Sequence, residues 1–378
     1  MTDLTLLAVG DIILDPATHH QAFDQVTDVL RSGDIVFANC DQAYSDLGES
    51  PNGFWPIQFC SPPHGEAMLD SLTEAGFNVL GFGNNHSLDW GYEAFFDCLS
   101  QCQKRNILTV GAGANIEAAR TPAIVEKQDA KVGFLAYCCV GPEGYEATET
   151  RPGHAPVRIH THYEQWDPQP GTPPQVHTFA YREDLRDMRA DIERLASQVD
   201  VVVVAFHWGV HYIPELIAEY QYEVGHEAVD AGAHLIVGCH AHLPKGVEVY
   251  KGRVIFHGMH EFACHGSWSS PGTQPGSAFP QSKYWDWTGY GSRLKQHFGA
   301  VPEGVTSRSM VAKISIDESG ITRVAYLPCY LDPNLNPRIV GRDDALGQEV
   351  FEYFKTISHK QGLNTHFEWD GDEVIIET

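Results

Sequence analysis

The chain has 378 residues, of which 43% are hydrophobic and 20% are charged, and these values are typical of a globular protein with a full buried core. Fifty Asp and Glu residues against 25 Lys and Arg residues give a formal net charge of −25, which repels polyanions and opposes docking on anionic lipid. Composition and charge therefore argue against nucleic-acid and membrane partners, and an acidic ligand would need local positive charge such as bound metal ions.

The N-terminal segment MTDLTLLAVGD is the first candidate for a targeting signal. It has only about seven apolar positions before Asp11 and carries an acidic residue at position 3, which does not fit a signal peptide. No apolar stretch in the sequence reaches the ~18 residues of a membrane span. The nine Cys residues include no CxxC pair, and Cys98 and Cys102 fit two buried residues on one helix face better than a redox pair. A cytoplasmic location is expected.

Short apolar runs and amphipathic segments alternate along the first two thirds of the chain. The runs that predict buried strands are Leu4–Gly10, Asp34–Ala38, Asn78–Gly83, Val132–Cys139, Val199–Phe206 and His234–Gly238. The amphipathic segments that predict helices are Gln21–Ser32, Gly65–Ala75, Tyr92–Arg105, Arg182–Gln198 and Glu215–Ala231. Repeated strand-helix units predict an α/β fold, and unbroken runs such as VDVVVVAF predict a sheet that is covered on both faces.

The remaining segments predict loops and a C-terminal group of elements. The Pro-rich segments Pro152–Pro174 and Ser267–Pro302 lack regular periodicity and are predicted to be long loops or lids. Further elements are predicted as strands at Ser309–Ile316 and Thr322–Leu327, a helix at Ala345–Gly362, and a hairpin around the Asp-Gly turn of FEWDGDEVII. We expect one domain over 1–378, with a loop or lid insertion over 265–305 and a strand and helix extension over 306–378.

Polar residues with metal affinity follow the C-terminal ends of five predicted strands. They are Asp11, Asp41, the Asn84-Asn85-His86 segment, His207, and the pair His240 and His242. In open α/β sheets, ligands bind outside these strand ends because the loops converge there. Mixed carboxylate, amide and imidazole ligands suit one or two divalent ions such as Mn, Zn, Fe or Ni. The sequence therefore predicts a metal centre at the C-terminal ends of the strands.

Each of these residues also has an interpretation that needs no metal. Asp11 and Asp41 could be loop or helix-cap residues, and Asn84-Asn85 could cap a helix that starts near Ser87. His207 could be a strand-end residue bonded to a backbone carbonyl. Cys239 could be a nucleophile, although a core cysteine is the simpler interpretation. Other motifs are weak: the GAGAN segment has Ile where a dinucleotide fingerprint needs Gly, and neither a GxSxG nor a Walker A sequence is present.

Taken together, the motifs resemble those of the CapA family of poly-gamma-glutamate capsule biosynthesis proteins, which belong with the calcineurin-like metallophosphoesterase fold. The matching segments are AVGDIIL, VFANCD, GNNHSLDWG, HWGVHY and DAGAHLIVGCHAH, in the order expected for the family. The resemblance runs from Leu6 to Phe262 and resumes from Ser309. It implies a four-layer α-β-β-α sandwich with a metal centre at the strand ends.

The resemblance also implies individual roles. The implied metal ligands are Asp41 as a bridge between two ions, Asn85, His207 and His240 on one ion, and Asp11 and His242 on the other. A metal-ligated water would be the nucleophile. His86, with its imidazole oriented by Asp89, would be the general acid for the leaving group.

Several positions depart from the family pattern around this centre. Ile13 stands where the superfamily's Asp-x-His has His, so one ion lacks a ligand. Asp41 and His211 both stand where the family usually has Glu, and His211 would replace the missing ligand, bind substrate or face solvent. The segment FHGMHEF replaces the family's Ser-Leu-Gly-Asn-Phe. The candidate substrate contacts are Asn84, His211, His257, His260 and Glu261.

The leading functional hypothesis is metal-dependent hydrolysis of an amide or gamma-glutamyl bond in a small or peptide-like substrate. Phosphoester hydrolysis is the alternative, which the wider fold favours and the substitution at Ile13 opposes. A metal-dependent lyase or dehydratase, and a capsule-assembly-like factor without turnover, are further alternatives. His86 and Asp89 argue against the last, because structural metal binding needs no general acid. The sequence says nothing about oligomeric state.

Overall fold

A computed structural model describes residues 4–48, 65–165, 167–211, 213–264 and 307–378. The predicted insertion at 265–305 and the predicted Pro-rich loop at 267–302 lie outside these described residues. The strands in chain order are β1 (Leu4–Ile13), β2 (Ile35–Cys40), β3 (Val79–Gly81), β4 (Leu108–Val110), β5 (Ala112–Gly113), β6 (Ala123–Lys127), β7 (Ala130–Cys138), β8 (Gly153–His154), β9 (Ile159–Glu164), β10 (Gln175–Ala180), β11 (Val201–Trp208), β12 (Leu235–His240), β13 (Val247–Tyr250), β14 (Arg253–Phe256), β15 (Glu261–Cys264), β16 (Arg308–Asp317), β17 (Gly320–Leu331), β18 (Pro337–Ile339), β19 (Phe367–Asp370) and β20 (Glu373–Ile376). The helices are α1 (Thr27–Arg31), α2 (Gly65–Ala75), α3 (Gly91–Lys104), α4 (Ile116–Ala119), α5 (Arg182–Ala196), α6 (Glu219–Asp230) and α7 (Ala345–Lys360), with a 3-10 turn at His19–Gln21.

Two large sheets form the centre of the protein. The first has the order β19-β20-β17-β16-β1-β2-β3-β4, with β15 beside β1 and β18 beside β17. The second has the order β13-β14-β12-β11-β7-β6. In the first sheet β1 runs parallel to β2, and in the second β11 runs parallel to β7 and β12. The strands predicted to carry site residues are therefore neighbours within their sheets.

The space between the sheets is filled by one apolar cluster. Phe37 of β2 and Phe134 of β7 belong to this cluster, and their rings stack across the interface at a centroid distance of 5.8 Å. Along β1, Leu6 lies in this cluster whereas Leu7 lies in another on the opposite face. Successive strand side chains point to opposite faces, so a strand that is covered on both sides is apolar without interruption.

Helices cover the outer face of each sheet. Leu7 of β1 shares a buried cluster with Leu72 of α2, and Val202 of β11 shares another with Ile192 of α5. The layers are therefore helix, sheet, sheet and helix. The predicted four-layer α/β sandwich is confirmed. Among the residues that the structure describes, no helix is both long enough and apolar enough to cross a membrane.

The six predicted apolar strands and the C-terminal hairpin are present, but two helices are shorter than predicted. The predicted helix Gln21–Ser32 is helical only over Thr27–Arg31, after the 3-10 turn. The predicted helix Glu215–Ala231 begins only at Glu219. Both segments begin with apolar residues, such as Phe23 and Ile217, that are buried without being part of a helix.

The prediction of a long loop or lid over Pro152–Pro174 is wrong in part, because β8 and β9 lie within this segment. Strand β9 occupies part of it and pairs with β10 in an antiparallel hairpin. The hairpin lies on α6, where the backbone N–H groups of Thr178 and Ala180 donate to the carboxylates of Glu219 and Glu223 at 3.0 and 2.7 Å. The β9 sequence IHTHYE is mostly polar and exposed. It therefore lacks the apolar periodicity on which the strand prediction depended.

Candidate metal centre

Asp11 joins the two sheets at the edge where the strands end. Its side chain is fully buried, and its Oδ1 accepts a 2.6 Å hydrogen bond from Asn39 Nδ2 of β2. Its Oδ2 accepts a 2.9 Å bond from the backbone N–H of His240, at the end of β12 in the other sheet. Burial raises the pKa of Asp11 to about 8, and the negative charge of Asp41 adds to the effect. One carboxylate thus brings together elements that are far apart in the chain.

Asp41, directly after β2, has an unusual environment. The residue is 1% exposed, and within the described part of the chain neither carboxylate oxygen has a hydrogen-bond partner. Its Oδ1 lies 3.5 Å from His207 Nε2, and burial raises the pKa of the carboxyl group. An ionised carboxylate without donors is costly to bury unless it is paired with a cation. The residue types around Asp41 fit a divalent ion, because they offer carboxylate oxygens, an amide oxygen and imidazole nitrogens.

Three neutral imidazoles lie beside these carboxylates. His207 Nε2 is 2.6 Å from Asn85 Oδ1 and 3.0 Å from His240 Nδ1. The ring of His211 lies 4.0 Å from that of His240 and 4.9 Å from that of His242, measured between centroids. Burial lowers the pKa values of His207, His211 and His240 well below the ordinary value, and neighbouring imidazoles lower them further. Neutral imidazole is the form that binds metal ions.

His86 and Asp89 form a hydrogen-bonded pair at the mouth of the cluster. His86 Nδ1 lies 2.6 Å from Asp89 Oδ2, and Asp89 Oδ1 accepts a 3.4 Å bond from the Tyr145 hydroxyl. His86 Nε2 is 3.1 Å from the side-chain nitrogen of Asn85. Burial alone would lower the pKa of His86, but the carboxylates of Asp89 and Asp41 outweigh it and raise the pKa to about 9. The two carboxylates therefore favour the protonated form of His86, which is the form in which an imidazole can donate a proton.

Glu261, the first residue of β15, contacts two imidazoles. Its Oε1 pairs with His242 Nδ1 and its Oε2 with His260 Nδ1. Burial opposes ionisation of Glu261, yet His260 and then His242 lower its pKa to about 2. His240, His242 and His260 all have positive φ angles, of 92°, 50° and 68°. Left-handed backbone at non-glycine residues is rare and gathers at functional sites.

The structure brings most of the predicted site residues together and leaves two elsewhere. His257 lies against Trp208 and Tyr222 and bonds to Glu248 Oε2 at 2.8 Å, so its side chain contacts none of the predicted ligands. Asn84 is fully buried, and its Nδ2 donates to the carbonyl of Cys40 at 2.6 Å. Asn84 therefore fixes the loop after β3 to the end of β2, and its substrate contact stays a prediction.

Sequence reasoning missed three residues that support the centre. Asn39 Nδ2 contacts Asp11 Oδ1 and lies 3.2 Å from His207 Nδ1. Tyr145 contacts Asp89. Lys245 is buried, and its Nζ donates to the carbonyls of Ile213 and Leu216, in the segment that follows His211. The one available signal was the position of Asn39, which directly follows the predicted strand Asp34–Ala38 and lies two residues before Asp41.

Within the described ranges, no three His, Cys, Asp or Glu side chains surround a common point at metal-ligand distances. Their imidazoles and carboxylates hydrogen-bond to one another instead. The candidate ligand set therefore rests on proximity, burial, donor chemistry and the unpaired carboxylate of Asp41.

The fold and this site define a class: an α/β sandwich with a buried cluster of imidazole, carboxylate and amide groups at its strand ends. A family model described as "Bacterial capsule synthesis protein PGA_cap" matches residues 5–265, so the chain belongs to this family. The resemblance to the CapA family in the sequence is thereby confirmed.

Two relatives illustrate the extent of the match. The chain is 29% identical over 270 residues to "PGA biosynthesis protein CapA" of Bacillus subtilis (strain 168), a match that covers 69% of this chain and 63% of that protein. It is 25% identical over 274 residues to "Capsule biosynthesis protein CapA" of Bacillus anthracis, which covers 70% of this chain and 61% of that protein. The matches span less than two thirds of the length of either relative.

Solved structures show similarity at lower identity. A novel phosphatase of Mycoplasma pneumoniae aligns with a TM-score of 0.48 and 14% identity, covering 87% of this chain and 94% of that one. A calcineurin-like phosphoesterase from Bacillus subtilis aligns with a TM-score of 0.41 and 12% identity, covering 95% and 99%.

Proposed function

We propose that the protein is a metal-dependent hydrolase that cleaves an amide or gamma-glutamyl bond in a small or peptide-like substrate. The observation that carries the proposal is the buried Asp41 carboxylate, which has no hydrogen-bond donor among the described residues and lies beside neutral imidazoles. The relatives named for PGA and capsule biosynthesis support a glutamyl substrate. One or two ions of Mn, Zn, Fe or Ni and a cytoplasmic location are part of the proposal.

Six residues would hold the ions: Asp11, Asp41, Asn85, His207, His240 and His242. A bound divalent ion would polarise the scissile carbonyl and lower the pKa of a water molecule. His86 would donate a proton to the leaving amine, and Asp89 would hold the imidazole in the orientation that its 2.6 Å hydrogen bond defines. Asn85 lies between His86 and His207 and would keep the proton donor close to the ions.

Within the described residues, three basic side chains favour an amide over a phosphoester: Lys245, shortly after His242, and Arg308 and Arg338 in the C-terminal part. Lys245 donates to backbone carbonyls, Arg308 pairs with Glu349 and Arg338 pairs with Asp344. These three cations are therefore engaged outside the cluster, whereas a phosphoester dianion is usually gripped by Arg or Lys. Metal-dependent phosphoester hydrolysis is the alternative function, and the test below distinguishes it from amide hydrolysis.

The test compares substrates on metal-loaded protein. Purified protein would be stripped of metal, loaded separately with Mn, Zn, Fe and Ni, and assayed on gamma-glutamyl anilides, alpha-glutamyl anilides and phenyl phosphates. We expect turnover of a gamma-glutamyl amide and none of the phosphates. Turnover of the phosphates alone would overturn the choice of substrate, and no turnover with any metal would overturn the proposal of a hydrolase.

His86→Asn tests the proton donor, and His226→Asn is its matched control. Both imidazoles bond to a carboxylate, His86 to Asp89 at 2.6 Å and His226 to Glu248 at 2.7 Å, but His226 lies outside the centre. We expect His86→Asn to lower kcat by about 10²–10⁴-fold with its metal content retained, and His226→Asn to leave kcat unchanged. Equal kcat values in the two variants would show that His86 is not the general acid.

A further inference from the structure

The side of the centre around Asp11 and His242 has few of the groups that a divalent ion needs. Ile13, two residues after Asp11 on β1, is a buried aliphatic side chain and offers no ligand atom. Asp11 and His242 would therefore supply two ligand groups, with Asp41 as a third if it bridges two ions. Structural transition-metal sites usually have four protein ligands and catalytic sites three with a water. Asp11 and His242 alone fall short of both numbers, and a neighbouring element can supply a further group in addition to Asp41.

Strand β15 is the element that lies there. It runs parallel to β1, and the register pairs Asp11 with Glu261. The backbone N–H of Asp11 donates to the carbonyl of His260 at 3.0 Å. Side chains at paired positions of neighbouring strands lie on the same face of the sheet. Glu261 therefore faces the same space as Asp11.

Glu261 is also tied directly to a predicted ligand. Its Oε1 bonds to His242 Nδ1, and its side chain is 11% exposed. The carboxylate thus lies next to His242 on one side and faces the same space as Asp11 on the other. Among the residues that the structure describes, its ion pairs are with His242 and His260 and not with a Lys or Arg.

We propose that Glu261 belongs to the cation site around Asp11 and His242, where its carboxylate supplies the ligand that Ile13 does not. This inference rests on the proposed metal centre and replaces the substrate role predicted for Glu261. His260 would act as a positioning residue, because its Nδ1 contacts Glu261 Oε2 from a backbone held at a φ of 68°.

The decisive variant is Glu261→Gln, because Gln keeps an amide oxygen that can accept a hydrogen bond from His242 Nδ1 but removes the negative charge. A role limited to orienting His242 would survive this change. Glu248→Gln is the matched control, since Glu248 also accepts from two imidazoles, those of His226 and His257, at 2.7 and 2.8 Å. Glu261→Asp tests whether a carboxylate at this position restores binding.

The experiment measures Mn²⁺ binding to the full, metal-stripped chain. Binding is detected by calorimetry and by the loss of the electron paramagnetic resonance signal of free Mn²⁺. We expect two ions per chain in the wild type and in Glu248→Gln. In Glu261→Gln we expect the weaker ion to lose about 100-fold or more in affinity while the tighter ion is kept, with partial recovery in Glu261→Asp.

Two results would overturn the inference. In the first, wild type and Glu261→Gln bind two ions with the same affinities. In the second, the wild type binds a single ion and Glu261→Gln binds it with the same affinity. A wild-type protein that binds no Mn²⁺, Zn²⁺, Fe²⁺ or Ni²⁺ would instead reject the proposed metal centre itself, before any variant is compared.

Discussion

Replacing Asp41 with Asn should change the free energy of unfolding in opposite directions in metal-free and metal-loaded protein. In the metal-free state the carboxylate is buried without a donor, and burial raises its pKa. Asn keeps the shape and removes the charge. Because Asn is still polar, we take the lower end of the cost of an unpaired buried group, and expect a stabilisation of about 1 kcal/mol.

The pH dependence of this gain follows from the raised pKa. The folded protein holds a proton on Asp41 at pH values where the unfolded chain has lost it, so the stability of the metal-free wild type falls as pH rises above 3.8. The gain from Asn should therefore be absent below this pH and grow as pH rises.

In the metal-loaded state the sign reverses. A ligand that binds only the folded protein stabilises it by about 2.7 kcal/mol when its concentration is 100 times Kd. Asp41→Asn removes the carboxylate that would bridge the ions and should lose most of this stabilisation. The variant is then less stable than the wild type by about 1–2 kcal/mol, the difference between that loss and the gain above.

The assay is urea unfolding followed by circular dichroism, with chelator and with excess Mn²⁺. Asp191→Asn is the control, because Asp191 is also buried but accepts hydrogen bonds from Arg120 and Tyr137 at 2.5 and 3.0 Å. The control should be destabilised equally in both conditions. Our reasoning is refuted if Asp41→Asn destabilises the metal-free protein, or if Mn²⁺ stabilises the variant as much as the wild type.

Two further predictions concern protonation. Burial lowers the pKa of Lys245 from 10.5 to about 7, so the unfolded chain holds a proton that the folded protein lacks, and stability should rise with pH between these values. Lys245→Met should flatten this rise in urea unfolding at several pH values; an unchanged slope would contradict the assignment. Since the pKa of Asp11 is raised to about 8, metal binding at pH 6.5 should release at least one proton, measured by calorimetry in two buffers of different ionisation enthalpy. No difference between the buffers would contradict this.

The sequence was sufficient to predict which strand ends meet, because these strands are buried on both faces. Their apolar runs end abruptly in a polar residue, as at Asp11 and His207, and parallel strands bring such ends to one edge. Asn39 directly follows the predicted run Asp34–Ala38, but it was missed because Asp41, two residues later, is the more obvious metal ligand at that strand end. Its role depends on the packing of β2 against β1 and β11.

The segment FHGMHEF shows what the sequence could not resolve. His257 and His260 are three residues apart and looked equivalent, yet only His260 contacts Glu261, while His257 bonds to Glu248. The positive φ of His260 and the pairing of Asp11 with Glu261 depend on contacts between residues about 250 positions apart in the chain. The polar hairpin of β9 and β10 was missed for a similar reason, since its stability comes from α6.

Metal content is the most direct measure of the central claim. Full-length protein purified without chelators, and the variants His207→Ala and His240→Ala, would be analysed by inductively coupled plasma mass spectrometry before and after loading with Mn, Zn, Fe or Ni. We predict one to two divalent ions per wild-type chain and a loss of at least one in each variant. Wild-type protein that holds no divalent metal in any of these conditions, or variants that retain the full content, would contradict the account.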